Sequence, residues 1–253
     1  MYIPFSELRG FGLVGREVGA ADEAVELGAL DDLYVDARDW RVAYLVVSVG
    51  GPLAARRVLL EPDRPVEFDL AGRRLLTGWT PYDVDTAADA GSLRTAGEQA
   101  ARDAGDAGGD DPDRLMFGPG DPSAPGGGGA VLGGDPDAEL IPLSEEERHL
   151  RGARELVGYT VRGTDADVGP VADLLIHRER PALSWLAVDT GTWLSRREVV
   201  LDPKWIGDVS WGERRMDIGL TRAQVRDAPA LEGLDGLDHA YGAALAAFYR
   251  FVS

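Results

Sequence analysis

The chain has 253 residues, no cysteine, and a formal net charge of −18 from 26 basic and 44 acidic residues. The absence of cysteine excludes disulfides, thiolate metal sites and a thiol nucleophile. The acidic balance repels phosphate backbones and anionic lipid headgroups, so no nucleic acid and no charged membrane surface is expected as a direct partner.

The N-terminus, MYIPFSELRG, is no apolar run of signal-peptide or membrane-span length, and no other segment is one. A soluble cytoplasmic protein without direct membrane insertion is expected. Gly10 to Gly15, GFGLVG, fit the G-x-G-x-x-G pattern. A dinucleotide site needs a buried strand before that pattern and a helix after it. The preceding IPFSELR does not read as a buried strand, so the match is read as chance.

Short strands with turn signals follow: YLVVSVGG, RRVLLEP, VEFDL, a turn at Ala71-Gly72, and RRLLTGW. The period then changes after Thr80, an N-cap with Pro81 at the first helical position, where its missing N–H costs nothing. Residues 87–137 are Ala, Gly, Asp and Pro with few large apolar side chains. Such a stretch buries too little to offset its ordering entropy and reads as a disordered acidic linker, with a brief apolar element at Leu115-Met116-Phe117. A partner-binding tail is the functional alternative.

The second half then repeats the first. LGALDDLYVDARDWRVAYLVVSVGG returns as VGPVADLLIHRERPALSWLAVDTGT at an offset of 141. Gly28 falls on Gly169, Asp32 on Asp173, Leu45 on Leu186, Arg56 on Arg197 and Arg73-Arg74 on Arg214-Arg215. Upstream, LVG at Leu13–Gly15 matches LVG at Leu156–Gly158, which implies two extra residues in the turn of copy one. A repeat this long is a domain duplication, and the length fits two domains of roughly 80 to 90 residues. In copy two YTVR, VADLLIH and LSWLAVDTG read as strands. REVVL alternates with Val199 and Leu201 inward, DPKWI is a bend, and DVSW with RRMDIGL makes a hairpin around Gly212-Glu213. Thr221 and Gln224 have capping-box spacing. Small sheets apolar on both faces need cover, so the copies are expected to pack on each other or to self-associate through barrel faces. At the C-terminus Leu237, Tyr241, Leu245, Phe248, Tyr249 and Val252 form one helical apolar stripe, expected to pack back on a barrel or to form a subunit interface.

Chemistry-bearing patterns are sparse. The three histidines, His149, His177 and His239, stand apart, without H-x-H or H-E-x-x-H spacing. Asp165 and Asp167 lack the regular alternation and closing Glu of a calcium loop and read as turn residues. No G-x-S-x-G elbow occurs. No catalytic, cofactor-binding or metal residues are therefore assigned, and no cofactor is expected. Trp185 and Tyr44 hold equivalent central-strand sites and read as core. Trp193, in the turn DTGTW, is the candidate aromatic anchor for a partner. The doublets Arg73-Arg74 and Arg214-Arg215 read as strand-edge charges, with an anion or partner contact at Arg214 and Arg215 as the alternative.

Several of these features together resemble the PRC-barrel family. In copy two they are ELVGY, Gly169 and Asp173 in VGPVADLLI, WLAVDTGTWL, VVLDPKWI, and VSW with DIGLTRAQV. Copy one looks like a more diverged member, and DHAYGAALAAFYRF is similar to a tail that follows tandem PRC barrels in bacterial proteins. The resemblance implies a mainly β chain of two small antiparallel barrels, each with a short closing helix, plus a C-terminal helix. The domains are then 1–86, a linker at 87–137, a second barrel at 138–232 and an amphipathic helix at 233–253. In the family the barrel serves as an adaptor, so a non-enzymatic scaffold with a protein partner is implied. The alternative it implies is a subunit like the photosynthetic reaction-centre H subunit, with carboxylates delivering protons to a quinone.

Overall fold

In the computed structural model the described residues are 2–16, 24–51, 55–92, 149–178, 182–191, 197–231 and 239–251. Copy one contributes β2 (Gly12–Arg16), β3 (Ala24–Asp36), β4 (Arg41–Val49), β5 (Arg56–Leu60), β6 (Val66–Asp69) and β7 (Arg74–Thr77). Copy two contributes β9 (Thr160–Arg162), β10 (Asp167–His177), β11 (Leu183–Asp189), β12 (Glu198–Leu201), β13 (Ile206–Ser210) and β14 (Arg215–Ile218). The protein is mainly β, and the two strand orders are the same: β5-β4-β3-β2-β7-β6 and β12-β11-β10-β9-β14-β13. Neighbours pair antiparallel except for one parallel pair in each sheet, β2 with β7 and β9 with β14. That pair departs from the all-antiparallel expectation. It arises because β7 and β14 come back beside the first strand of their own copy.

Each copy closes with a short helix, α2 (Pro81–Thr86) in copy one and α4 (Arg222–Arg226) in copy two. Both start in a capping box, Thr80 with Asp83 and Thr221 with Gln224. The repeated Arg56 and Arg197 hold the far ends of these helices, donating to the carbonyls of Val84 and of Arg226 and Ala228 respectively. Copy one runs beyond Thr86, since Asp89 bridges Val58 just as Ala230 bridges Val199.

Each sheet reaches seven strands by taking one from the other copy. β1 (Tyr2–Pro4) leads into the single-turn α1 (Phe5–Leu8), and β8 (Leu150–Gly152) leads into α3 (Ala153–Leu156). β1 pairs with β10, Tyr2 opposite His177 and Pro4 opposite Leu175. β8 pairs with β3, Leu150 opposite Asp36 and Gly152 opposite Tyr34. The lengths of β3 and β10, 13 and 11 residues, make this possible. Their first halves bind β2 and β9 of their own copy, and their last turns of strand stay open for the visitor. The expected packing of the copies on each other thus takes the form of reciprocal strand exchange. IPFSELR accordingly does begin in a buried strand, at Ile3 and Pro4 of β1, which is too short to show a period.

The exchange also resets the alignment of the copies. Gly10 and Gly158 carry the same left-handed φ, 82° and 88°, just after α1 and α3. LVG at Leu156–Gly158 therefore corresponds to LRG at Leu8–Gly10, not to Leu13–Gly15. Gly15 precedes Gly28 by 13 positions and Gly163 precedes Gly169 by six, so copy one carries seven extra residues in this turn rather than two. The aligned glycines share a reason. A Cβ on Gly28 would lie 2.5 Å from the Ser48 carbonyl oxygen, and one on Gly169 would lie 1.8 Å from that of Asp189.

The core is continuous across both copies. Leu33, Leu45, Val47, Val58 and Leu60 and their counterparts Leu174, Leu186, Val188, Val199 and Leu201 are buried in one cluster with Ile3, Phe5, Ala153 and Leu156 of the exchanged segments. Val200 is buried too, against a simple alternation in β12. The reason is α5 (His239–Phe251), whose Tyr249 hydroxyl donates to the Val200 carbonyl at 2.8 Å and whose Leu245 is fully buried. The C-terminal stripe thus packs back on copy two; Leu237 and Val252 lie outside the described residues. Trp185 and Tyr44 are half-buried and pack against the edges of the buried clusters. Trp185 meets Tyr2 edge-on at 6.2 Å.

Candidate functional site: the seam between the copies

The seam is built on two carboxylates at one repeated position. In each long strand the register shifts beside it, between Leu30 and Asp32 in β3 and between Val171 and Asp173 in β10. Such a bulge re-aims a side chain, and here it turns each aspartate towards a helix arriving from the other copy. α1 and α3 start after Pro4 and Gly152, neither of which supplies a side-chain cap. The caps come from across the seam. Asp173 accepts from the Ser6 amide at 3.2 Å and from the Ser6 hydroxyl. Asp32 accepts from the Arg154 amide at 3.0 Å, and each aspartate also takes the amide of its own next residue.

The two ends of the seam differ in burial. Asp173 is half-buried, whereas Asp32 is only 5 % exposed. Burial pushes the Asp32 carboxyl up to about 6, against the opposing pull of the Arg154 and Leu33 amides and the Arg154 and Arg57 guanidiniums. Around the same end lies a polar–aromatic cluster. The Arg151 guanidinium stacks 3.6 Å over Trp211, and burial lowers its pKa to about 10. The Tyr159 hydroxyl donates to Glu155 at 2.6 Å, and burial with that bond moves its pKa well above the ordinary tyrosine range.

Arg214 lies 5.1 Å over the Tyr159 ring, as Arg73 lies 4.8 Å over Phe11. Both are left-handed turn residues, with φ of 48° and 52°, whose carbonyls accept from Thr160 and Gly12. The first arginine of each doublet is thus a hairpin-turn residue that holds the start of β2 or β9, while Arg74 and Arg215 begin β7 and β14. Arg215 is engaged with Asp217 at 3.1 Å and with Glu213. Trp193 lies outside the described residues.

The remaining sequence candidates are not brought together. His177 meets Tyr2 edge-on in the exchanged pair, and His149 accepts the Ala37 amide through its carbonyl and lies near the Asp36 carboxylate. Asp165 accepts from the Arg222 amide at the start of α4, a turn-and-cap role. Gly10 to Gly15 run into β2, not into a helix. Among the described residues no three His, Asp or Glu side chains are grouped to hold a metal. A groove of about 540 Å³ lies between β2, β7 and β6, lined by Val14, Arg16, Val66, Glu67, Leu76 and Thr77. Sequence reasoning aligned Asp32 with Asp173 but missed their role, because the groups they cap are more than 120 positions away.

Residues 6–83 match the family model of the PRC-barrel domain. They form a PRC-barrel domain. The match runs from Ser6 in α1 to Asp83 in α2, so it begins inside the exchanged segment and ends in the closing helix. It falls on copy one, the copy expected to be the more diverged. Copy two repeats the PRC-barrel strand order throughout, which makes the chain a tandem of two PRC-like units. No curated protein matches the chain. No helix among the described residues is long and apolar enough to cross a membrane.

Proposed function

We propose that this tandem PRC-barrel chain is a non-enzymatic adaptor that works by protein–protein contact. The observation that carries this reading is the match to the PRC-barrel domain, a fold used as an interaction module, together with the use of repeated residues for construction. Asp32, Asp173, Arg56, Arg197, Arg73 and Arg214 cap helices, cross the seam or hold turns. Strand exchange holds the two units side by side, so that partners on each are brought near one another.

The alternative, a peripheral subunit that delivers protons to a quinone in a reaction-centre-type complex, draws on one observation, the buried and readily protonated Asp32. Affinity capture with the intact chain tests both readings, with Trp193→Ala run beside it. Recovery of a specific protein that Trp193→Ala fails to hold supports the adaptor. Recovery of a quinone-containing membrane complex supports the alternative. A small molecule bound at stoichiometric level, with no protein partner, overturns both.

A further inference from the structure

The two ends of the seam are built alike but solvated differently. At the β1–α1 end, Asp173 shares its charge with a hydroxyl and two amides, Ser6 and Leu174, and retains access to water. At the β8–α3 end Asp32 has the amides of Leu33 and Arg154, both on the same oxygen, Oδ1. Its Oδ2 lies against Gly152, where a Cβ would come within 3.1 Å.

The cations nearest Asp32, Arg57 and Arg154, draw its pKa down less than burial raises it, and both also pair with its neighbour Asp31. Arg57 of β5 reaches Asp31 at 2.8 Å, and Arg154 of α3 reaches the same Asp31 at 3.2 Å. Of the other charged groups on the packed elements, Glu155 is turned to Tyr159 and Arg151 to Trp211. β4 presents Val46 opposite Asp32. A carboxylate enclosed in this way is stable when neutral and unfavourable when charged.

We infer that the β8–α3 end of the seam is a pH-responsive latch: it is tight while Asp32 is protonated and opens more often once Asp32 ionises. The latch loosens the exchanged strand of copy two without unfolding either sheet, so the relative mobility of the two units is set by pH. This goes beyond the adaptor reading and does not depend on any partner.

The sign follows from linkage. The carboxyl holds its proton more strongly in the closed seam, about 6 against the ordinary 3.8, so closure is favoured below this range. As pH rises through it, the opening equilibrium grows by up to about 100-fold, tenfold for each unit, and is level above it.

Hydrogen exchange of the intact chain between pH 4 and 8, corrected for the intrinsic pH dependence of exchange, reads this directly. Amides of residues 151–156 should lose protection by up to about 100-fold towards neutral pH, beyond any change at Leu186 and Ala187 in β11. Asp32→Asn, whose amide oxygen can take both N–H groups, should flatten the profile. Asp32→Ser, a smaller uncharged cap, should do the same and serves if the asparagine variant does not fold. A wild-type profile that is already flat, or a slope that survives in the uncharged variants, overturns the latch.

Discussion

Arg41 and Ala182 hold the same position in the two copies, and they face each other across an isolated antiparallel bridge. Residues related by the repeat can meet only on an axis that relates the copies, so a local two-fold passes between them. Both exchanged pairs obey it: Tyr2 opposite His177 and Leu150 opposite Asp36 are the same contact made twice. The chain therefore has the geometry of a strand-exchanged dimer written into one polypeptide. An isologous contact of this kind is what duplication of a self-pairing domain produces.

Cutting the connection between the copies should not separate them. A protease site introduced between residues 93 and 148 and cleaved under native conditions should yield two fragments that co-elute, since β1 and β8 each lie in the other sheet. Fragments that part on a sizing column would contradict the exchange.

Leu186 is fully buried in the central strand of copy two. Leu186→Asp would place an unpaired charge in the shared core, with an expected loss of about 3 to 5 kcal/mol. Because the core runs through the seam, denaturant unfolding of the variant should weaken both copies together. A loss below about 1 kcal/mol would mean that the site accommodates charge.

Gly169→Ala puts a Cβ 1.8 Å from a backbone oxygen, which only a shift of the β10–β11 pair can relieve. A loss of about 2 to 4 kcal/mol is expected. Gly12→Ala, where the nearest atom is the end of the Glu26 side chain at 3.9 Å, should change stability much less. Equal losses in thermal unfolding would remove the steric argument.

Tyr249→Phe deletes one hydroxyl from α5 and leaves the Val200 carbonyl without that donor. The expected cost is about 1 to 2 kcal/mol. It should appear as earlier exchange of the C-terminal helix, with copy one unaffected. Unchanged protection across residues 239–251 would show that the bond contributes nothing.

The duplication, the strands and the closing helices were legible because their signals are local. Alternation in RRMDIGL, the capping spacing of Thr221 and Gln224, and the glycine pair Gly28 and Gly169 can each be read within a few residues. The helical stripe from Tyr241 to Tyr249 could be seen, but not which face of which copy would receive it. Trp185 and Tyr44 pack against the core but stay half-buried, because an apolar central strand does not say how completely another element will cover each of its faces.

What the sequence alone determined is therefore each PRC-like unit: its strands, its turns and its interior. Tertiary structure decided everything about the seam. β1 and β8 are three residues long, carry no period, and find hydrogen-bond partners only on a strand end left open by the other copy. Asp32 and Asp173 are ordinary aspartates in one dimension, and become caps because a bulge and an arriving helix place two amides before each. Their difference in burial, on which the proposed latch depends, comes from packing across the chain, and no local spacing encodes it.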